Sequence, residues 1–451
     1  MNALWDHQKQ AKDEALTYPK RMLAWDPRLG KTQGSVECIK AWKERGGVIV
    51  APLVTCSQWE RVLLENDLPC YNAYRGGTCK AVGNDLRLHR DSTVIVNYDR
   101  LHSLVEPLLR RKPGFVIIDE SHWIKSPSAK RARAARRLGW YAKYARLLTG
   151  TPVPNNYGDL WGQMTIVDPE SWDKSYVKFA RRYLIRHPLY SSTIIGYNDL
   201  PGLELRFKAG AHSVRREDAF GPDDYQFVRR SISLPGPAKI LYRKLAKDWV
   251  LDTPILSAEH IFKRLVRLQQ LASGYLPLDD GTIKEIHTAK IDTVMADLDE
   301  IFDAGEKVVL FHKFRWEGNR YEQEIRKLFP HVGVGRIQGG DDPGDRTAAI
   351  NLIEEGVGPN VILAQTRAGG IGISLRHAKY VGFISSGYSY TERKQAIDRV
   401  YIQGEGRCVT DYIVDGTVET AIERAVLGKQ NLNDALRNLD LVGRRSLVYG
   451  E

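Results

Sequence analysis

The stretch Leu148-Thr149-Gly150-Thr151-Pro152-Val153, continued by Pro154-Asn155-Asn156, reads as an apolar strand running straight into a tight turn. Gly, Pro and Asn supply the backbone angles that stop a strand. Its neighbours along the chain give it meaning. Gly30-Lys31-Thr32 and Ile117-Ile118-Asp119-Glu120-Ser121-His122 precede it, and Thr366-Arg367-Ala368-Gly369-Gly370-Ile371-Gly372 follows it. Four short motifs in one order decide the reading, where no single one would.

Apolar β-rich runs recur through the first half at Val48–Ala51, Val94–Val96, Val116–Ile118 and Leu147–Leu148, each followed by turn residues and a helical pattern. The second half repeats this at Val308–Phe311, Gly335–Ile337, Val361–Ala364, Val381–Ile384 and Tyr412–Val414. Strand–helix alternation predicts parallel sheets covered by helices. A chain of 451 residues is too long for one core, so two domains of roughly 200 residues each are expected. The fold class expected is α/β, with two parallel-sheet lobes carrying helical insertions. The boundaries expected are 1–220, with a short helical insertion at about 165–213, and 221–451, with one at about 237–290. Leu234-Pro235-Gly236-Pro237 marks a turn before the helical Leu pattern from Ile240 to Leu271. A further helical period runs from Ala421 to Leu439.

Gly30-Lys31-Thr32 follows the strand-like Met22-Leu23-Ala24 and opens a helical pattern at Gln33 to Trp42. A phosphate loop needs that context: helix N-terminal amides face the phosphates, the lysine neutralises β/γ oxygens, and the threonine hydroxyl holds Mg²⁺. A buried strand, Val116-Ile117-Ile118, leads into Asp119-Glu120. Asp119 is expected to hold Mg²⁺ through water, and Glu120 to polarise the attacking water. ATP and Mg²⁺ are the cofactors this implies.

The ordered set resembles the Swi/Snf-like branch of superfamily-two helicases, ATP-driven translocases of double-stranded DNA, in a compact form limited to the motor core. The resemblance covers residues 4 to 430 and implies two RecA-like lobes. It makes Gln8, in Leu4-Trp5-Asp6-His7-Gln8, the reader of adenine. It makes Val50–Val54 with Gln58-Trp59 a DNA-contacting motif centred on Pro52, and Asn97-Tyr98-Asp99 the next motif-bearing strand end. Val214-Arg215-Arg216 resembles an arginine signature at the exit from the first lobe, and Leu265 to Gly274 the helix before the second core. Lys307 to Phe314, and Arg336 to Gly340 with Arg346, resemble the strand and loop that follow. Thr366, Arg367 and Gly370 are implied as DNA-phosphate contacts and Gly372 as a nucleotide contact. Tyr388 stands where the family carries a DNA-side Trp, seven residues before Gln395. Gln395 to Arg399 resembles the sixth motif, with Gln395 at the nucleotide and Arg399 meeting the γ-phosphate when the lobes close. Asp415 to Glu419 resembles the closing motif.

Three positions depart from the pattern. Arg28 stands where the family has Gly, Trp25 where it has an acid, and Ile402 where it has a second arginine. Arg407, beyond the flexible-looking Gln403-Gly404-Glu405-Gly406, is the candidate substitute cation.

The net charge of +11 suits a polyanionic partner. Lys130 to Arg137 and Lys178 to Tyr183 concentrate the charge in the first half. Double-stranded DNA is the expected partner, with branched DNA a further candidate and a protein partner unidentified. Five scattered cysteines, with no C-x-x-C pair, argue against a zinc site or a disulfide framework. There is no apolar run of about 18 residues and no charged-then-apolar leader pattern. No membrane partner is therefore expected, and the cytoplasm of a bacterial or virus-infected cell is the expected location. The function expected is an ATP-dependent translocase or remodeller of duplex DNA. A strand-separating superfamily-two helicase and a nucleic-acid-binding protein with a decayed ATPase stay open as alternatives.

Overall fold

Val- and Ile-rich strands buried on both faces build two separate parallel sheets, as such runs do when helices cover both sides. The computed structural model describes residues 3–75, 77–154, 156–186, 194–221, 225–251, 258–278, 280–366, 375–400, 406–427 and 448–449. Two compact units divide the chain, Met1–Pro222 and Asp223–Glu451.

In the first unit the strands are β1 (Lys20–Trp25), β2 (Val48–Ala51), β3 (Cys70–Asn72), β4 (Thr93–Asn97), β5 (Phe115–Asp119), β6 (Tyr144–Leu148), the pair β7 (Leu184–Arg186) and β8 (Ile194–Tyr197), and β9 (Ala211–Val214). The helices are α1 (Asp6–Asp13), α2 (Lys31–Trp42), α3 (Leu53–Leu64), α4 (Cys79–Asp85), α5 (Tyr98–Arg110), α6 (Lys130–Tyr141), α7 (Trp161–Val167), α8 (Tyr176–Tyr183), α9 (Leu200–Gly210) and α10 (Arg216–Phe220). The seven-stranded sheet has the order β3-β4-β2-β5-β6-β1-β9, and its neighbours are parallel throughout. On one face Trp25 of β1 packs with Val36, Ile39, Trp42 and Trp59 from α2 and α3. The other packs Leu101, Leu104, Leu108, Leu138 and Met164 from α5, α6 and α7.

In the second unit, β10 (Tyr225–Ile232) precedes α11 (Gly236–Leu251), α12 (Ala258–Ala272), the hairpin β11 (Tyr275–Pro277) and β12 (Ile283–Glu285), and α13 (Ala289–Asp303). Then come β13 (Val308–His312), α14 (Arg315–Leu328), β14 (Gly333–Ile337), α15 (Pro343–Glu354), β15 (Asn360–Gln365), β16 (Tyr380–Phe383), α16 (Tyr390–Asp398), β17 (Arg407–Val414) and α17 (Val418–Leu427). The six-stranded sheet runs β10-β17-β16-β13-β15-β14, again parallel. The α/β expectation of two parallel-sheet lobes is met. Among the described residues no helix is long and apolar enough to cross a membrane.

The two insertions differ from expectation. The stretch 165–213 is helical only in part: it holds the antiparallel β7–β8 pair, and it ends in β9, which pairs with β1 inside the main sheet. The stretch 237–290 holds two helices and then the β11–β12 hairpin. The helical period expected from Ala421 is seen to Leu427, and 428–439 lie outside the described residues.

A parallel sheet brings the carboxyl ends of its strands to one edge, where open α/β sheets bind ligands. In the first unit that edge carries the loop after β1, Pro52 after β2, Asn97 at the end of β4, Asp119 at the end of β5 and Thr149 after β6.

Candidate functional site

The loop after β1 turns through two left-handed residues. Gly30 has φ 66° and caps α2, and Arg28 has φ 69°. The left-handed region costs a non-glycine residue about 1 kcal/mol or more. Arg28 thus occupies, under strain, the backbone conformation that suits the glycine it replaces. Gly30 has a second reason to lack a side chain, because a Cβ there would lie 2.2 Å from Gln8 Nε2. Gln8 is buried, donates through Nε2 to the Gly30 carbonyl at 3.2 Å, and accepts from the Trp5 N–H at 2.9 Å. His7 Nε2 lies 2.8 Å from the Leu29 carbonyl. Helix α1 is thereby clamped on the loop, across 22 residues of sequence. Lys31 Nζ donates to the carbonyls of Trp25 at 2.9 Å and Asp26 at 3.2 Å. Thr32 follows in the first turn of α2, partly exposed.

At the end of β5, Asp119 and Glu120 stand side by side, both half-buried, and Glu120 has φ 51°. Asp119 Oδ1 accepts from the Glu120 N–H at 3.0 Å. Its Oδ2 accepts from Trp59 Nε1 at 3.0 Å and lies 3.3 Å from Thr55 Oγ1. Desolvation and then the Glu120 charge raise the Asp119 carboxyl from 3.8 to about 6, against the opposing pull of the Trp59 hydrogen bond and the Lys31 charge. His122 is pushed down to about 4, by burial first and Lys125 next, so it is neutral at pH 7. Its Nδ1 lies 3.3 Å from Glu120 Oε2 and 3.2 Å from Thr149 Oγ1. The turn after β6 thus reaches Glu120 through one imidazole. Thr149 Oγ1 also accepts from the Thr151 N–H at 3.0 Å. Gly150 packs so closely on the first loop that an added Cβ would lie 2.9 Å from Pro27 Cδ. The exit signature joins them, since the Arg216 N–H donates to Asp26 Oδ2 at 3.0 Å.

Gly30, Lys31, Asp119, Glu120 and the 149–152 turn therefore lie around one end of one sheet, with Gln8 beside them. Gln163 escaped the sequence reading. It accepts from Ser121 Oγ at 2.8 Å and donates to the Pro152 carbonyl at 2.9 Å, bracing both motifs from α7. Nothing in the linear pattern of α7 signals that role.

Five residues singled out by the sequence need correction. Pro52 is buried and caps α3, so the accessible residues of its motif are Leu53 and Val54 in the first turn and Gln58 further along the helix. Trp59, from the same motif, points inward and is 1% exposed. Tyr388 is buried beneath Lys313, whose Nζ is 3.5 Å from the ring centroid, and donates to Gln269 Oε1 at 3.1 Å. It therefore packs in the second core and presents no surface to DNA. Thr366 is also buried, with its hydroxyl donating to the His312 carbonyl at 3.2 Å instead of facing solvent. Finally, Arg407 is rooted at the start of β17 and donates to the carbonyls of Val400, Gly406 and Arg376 at 3.2, 3.0 and 3.1 Å. A guanidinium held by three carbonyls is not a mobile substitute cation.

The carboxyl edge of the second sheet has its own network. Lys313 Nζ donates to Gln269 Oε1 at 2.6 Å, and Gln269 Nε2 to the Ser386 carbonyl at 2.9 Å. Gln365 links the Lys313 carbonyl to the Gly339 N–H at 3.1 and 3.2 Å. Below it, Lys290 Nζ meets both Glu419 oxygens at 2.6 and 2.7 Å, which gives the closing-motif carboxylate a buried partner. Gln395 is half-buried in α16 and Arg399 is half-buried at its end. Arg367, Gly370, Gly372 and Ile402 lie outside the described residues.

Two family models match the chain: the SNF2-related domain over residues 12–193 and the helicase conserved C-terminal domain over 293–404. The chain carries an SNF2-related domain followed by a helicase conserved C-terminal domain. Among its relatives is YwqA of Bacillus subtilis (strain 168), named for an ATP-dependent helicase/translocase, at 25% identity over 92% of this chain and 46% of the relative. Another is the Homo sapiens TATA-binding protein-associated factor 172, at 21% identity over 80% of this chain and 22% of the relative. The chain thus spans less than half the length of these curated relatives. A Sulfolobus solfataricus structure, an SWI2/SNF2 ATPase core in complex with dsDNA, aligns at TM-score 0.43 and 21% identity, covering 99% of this chain and 97% of that one. Each lobe of the SNF2-related chain thus carries one of the two matched regions.

Proposed function

We propose that this chain hydrolyses ATP to ADP and phosphate to translocate along double-stranded DNA. The convergence of Lys31, Asp119, Glu120 and the Thr149–Pro152 turn at one sheet edge, in an SNF2-related chain, supports the reading most directly. Gln8 is assigned the adenine edge, Gly30 and the α2 N-terminus the phosphates, and Lys31 the β/γ oxygens. Nucleotide binding would draw the Lys31 ammonium off the Trp25 and Asp26 carbonyls it now holds.

The donor set suits a divalent cation. Two adjacent carboxylates, one raised to about 6, leave negative charge that a cation would neutralise. Thr32 and Asp119 would hold Mg²⁺, with water completing a shell that uses few protein ligands. When bound, the ion supplies charge neutralisation on the phosphates. Glu120 orients the attacking water and accepts its proton as the bond from the γ-phosphorus to the bridging oxygen breaks. Neutral His122 steadies Glu120 without competing for the charge. The non-glycine φ of Glu120 fits a functional corner, because such strain persists where surrounding structure holds it. Arg399 is assigned the γ-phosphate in the ATP-bound state, with Gln395 and Gly372 near the nucleotide.

Phosphate contacts carry no sequence information. The first turn of α3, together with Arg367 and Gly370, is assigned to the DNA backbone, and the net charge of +11 favours such binding. Branched DNA, a protein partner and a cytoplasmic site of action belong to the same proposal.

Phosphate release with and without duplex DNA tests the reading. Lys31→Ala should lose nucleotide binding, Glu120→Gln should bind ATP without turnover, and Arg399→Ala should bind ATP and lose turnover at least 10³-fold. Third-strand displacement from a triplex should occur without release of a strand from tailed duplex. Efficient unwinding would instead indicate a strand-separating helicase, and an absence of turnover in the wild type would indicate a decayed ATPase.

A further inference from the structure

Thr55 and Trp59 are four residues apart on α3, so their side chains lie on one helical face. Both approach the same atom, Asp119 Oδ2, from 64 and 60 residues away in sequence. The indole N–H is purely a donor, and it is spent on this carboxylate in a residue only 1% exposed. Thr55 has a choice. Its hydroxyl lies 3.3 Å from Asp119 Oδ2 and 3.1 Å from the Pro52 carbonyl, and one proton cannot serve both. The Pro52 carbonyl already receives the Thr55 N–H at 2.9 Å, so it stays satisfied when the hydroxyl turns to Asp119.

A second element grips the same corner. Tyr98, the first residue of α5 and 1% exposed, donates its hydroxyl to the Asp119 carbonyl at 2.5 Å and lies 3.3 Å from the Glu120 carbonyl. The positive-φ turn at Glu120 is thus pinned from the strand end after β4, while the Asp119 carboxylate is pinned from the helix after β2.

We propose that Trp59 and Thr55 are positioning residues that transmit duplex contact at the first turn of α3 to the Asp119 carboxylate, with the Thr55 hydroxyl switching between Pro52 and Asp119. The inference rests on the function proposed above. Leu53 and Val54 are exposed on that turn at 56% and 39%. Two residues on, the same turn holds the hydroxyl that reaches Asp119. A shift of the Pro52 carbonyl under a bound phosphate releases that hydroxyl to the carboxylate. Asp119 then gains a second donor on Oδ2, which fixes its rotamer for the metal. Residues that orient a metal-binding carboxylate typically change affinity or activity by 10–100-fold when lost.

The test uses the full chain with three readouts: the Mg²⁺ concentration at half-maximal binding of a fluorescent ATP analogue, duplex affinity by anisotropy, and duplex stimulation of phosphate release. Trp59→Phe keeps a buried ring and removes the N–H. It should raise the Mg²⁺ midpoint about 10-fold or more, with duplex affinity within about 2-fold of wild type. Thr55→Val keeps the branched shape and should lose most of the duplex stimulation, whereas Thr55→Ser should retain it. An unchanged Mg²⁺ midpoint in folded Trp59→Phe, or equal stimulation in Thr55→Val and wild type, overturns the proposal. Should Trp59→Phe fail to fold, the Thr55 pair decides alone: equal loss in Val and Ser also overturns it. If wild type shows no duplex stimulation, the functional reading falls and takes the coupling with it, and the Mg²⁺ midpoint still judges the positioning of Asp119.

Discussion

Asp119→Asn should make the nucleotide-free first lobe more stable while abolishing Mg²⁺-dependent nucleotide binding. Burial and Glu120 raise the Asp119 carboxyl from 3.8 to about 6, so at pH 7 the folded lobe holds a charge it disfavours by roughly 3 kcal/mol at most. The side chain is only half-buried, and screening by water reduces that to roughly 1–2 kcal/mol. Asparagine can still accept from Trp59, but its NH₂ then faces the Glu120 N–H that Oδ1 now receives at 3.0 Å. That mismatch costs about 1 kcal/mol. The net gain is up to about 1 kcal/mol, a rise of roughly 2–4 °C in Tm for a domain of this size. Tryptophan fluorescence reads the right lobe, because eight of the ten tryptophans precede residue 222. The pH dependence has a definite sign. A folded-state pKa raised above its unfolded value means the folded lobe binds the proton more tightly. The Asp119 contribution is therefore full below about pH 4 and is lost as pH rises through about 6. His122, lowered to about 4, has the opposite slope, with stability lost as pH falls from its ordinary 6.5 through about 4. Subtracting the Asn variant's profile from the wild type isolates the Asp119 component. An Asn variant that melts lower at pH 7, or a difference profile flat between pH 4 and 6, would refute the reasoning.

The buried pair in the second lobe and the strained loop in the first give two more tests. Lys290→Met leaves the Glu419 carboxylate buried with the Val414 N–H at 3.0 Å and no counter-charge. Urea denaturation should show a loss of about 3–5 kcal/mol, largely recovered in Lys290→Met/Glu419→Leu; a double variant no better than the single would contradict that account. Arg28→Gly relieves about 1 kcal/mol of left-handed strain at φ 69° and is opposed by about 0.5–1 kcal/mol of added unfolded-state freedom. Its stability should therefore stay within about 1 kcal/mol of wild type, whereas Arg28→Val should be clearly less stable, both read by thermal melts.

The central strands were legible because physics repeats itself there. A strand buried on both faces must be apolar at every position, and Val48–Ala51, Val94–Val96 and Val361–Ala364 say so without reference to partners. The strands that escaped notice are short or lie at the sheet edges. Cys70–Asn72 has only three residues, and Ala211–Val214 carries His and Ser. Tyr225–Ile232 holds adjacent arginines, whose charges are met by Asp297, Asp415 and Glu423 from other elements. Such strands owe their place to a neighbour already in the sheet, and no local pattern encodes the neighbour.

The same distinction runs through the site. Motif order pointed to particular strand ends, and five of them meet at one edge because parallel strands can do nothing else. It could not say which way a side chain turns. Trp59 and Tyr388 share the apolar-body, polar-tip character that suits either a surface stacking on bases or a core with one hydrogen-bond partner. Both found interior acceptors, Asp119 for the indole and Gln269 for the phenol. Arg407 failed as a mobile cation for a related reason: three backbone carbonyls converge on its guanidinium from residues 376, 400 and 406, and only the fold assembles them. An aromatic or arginine inside such a motif therefore argues for function only once its polar atoms are shown to lack a partner within the protein. Where the partner is a carboxylate proposed to hold the metal, as Asp119 is for Trp59, a buried side chain would gain a functional consequence that its motif did not announce.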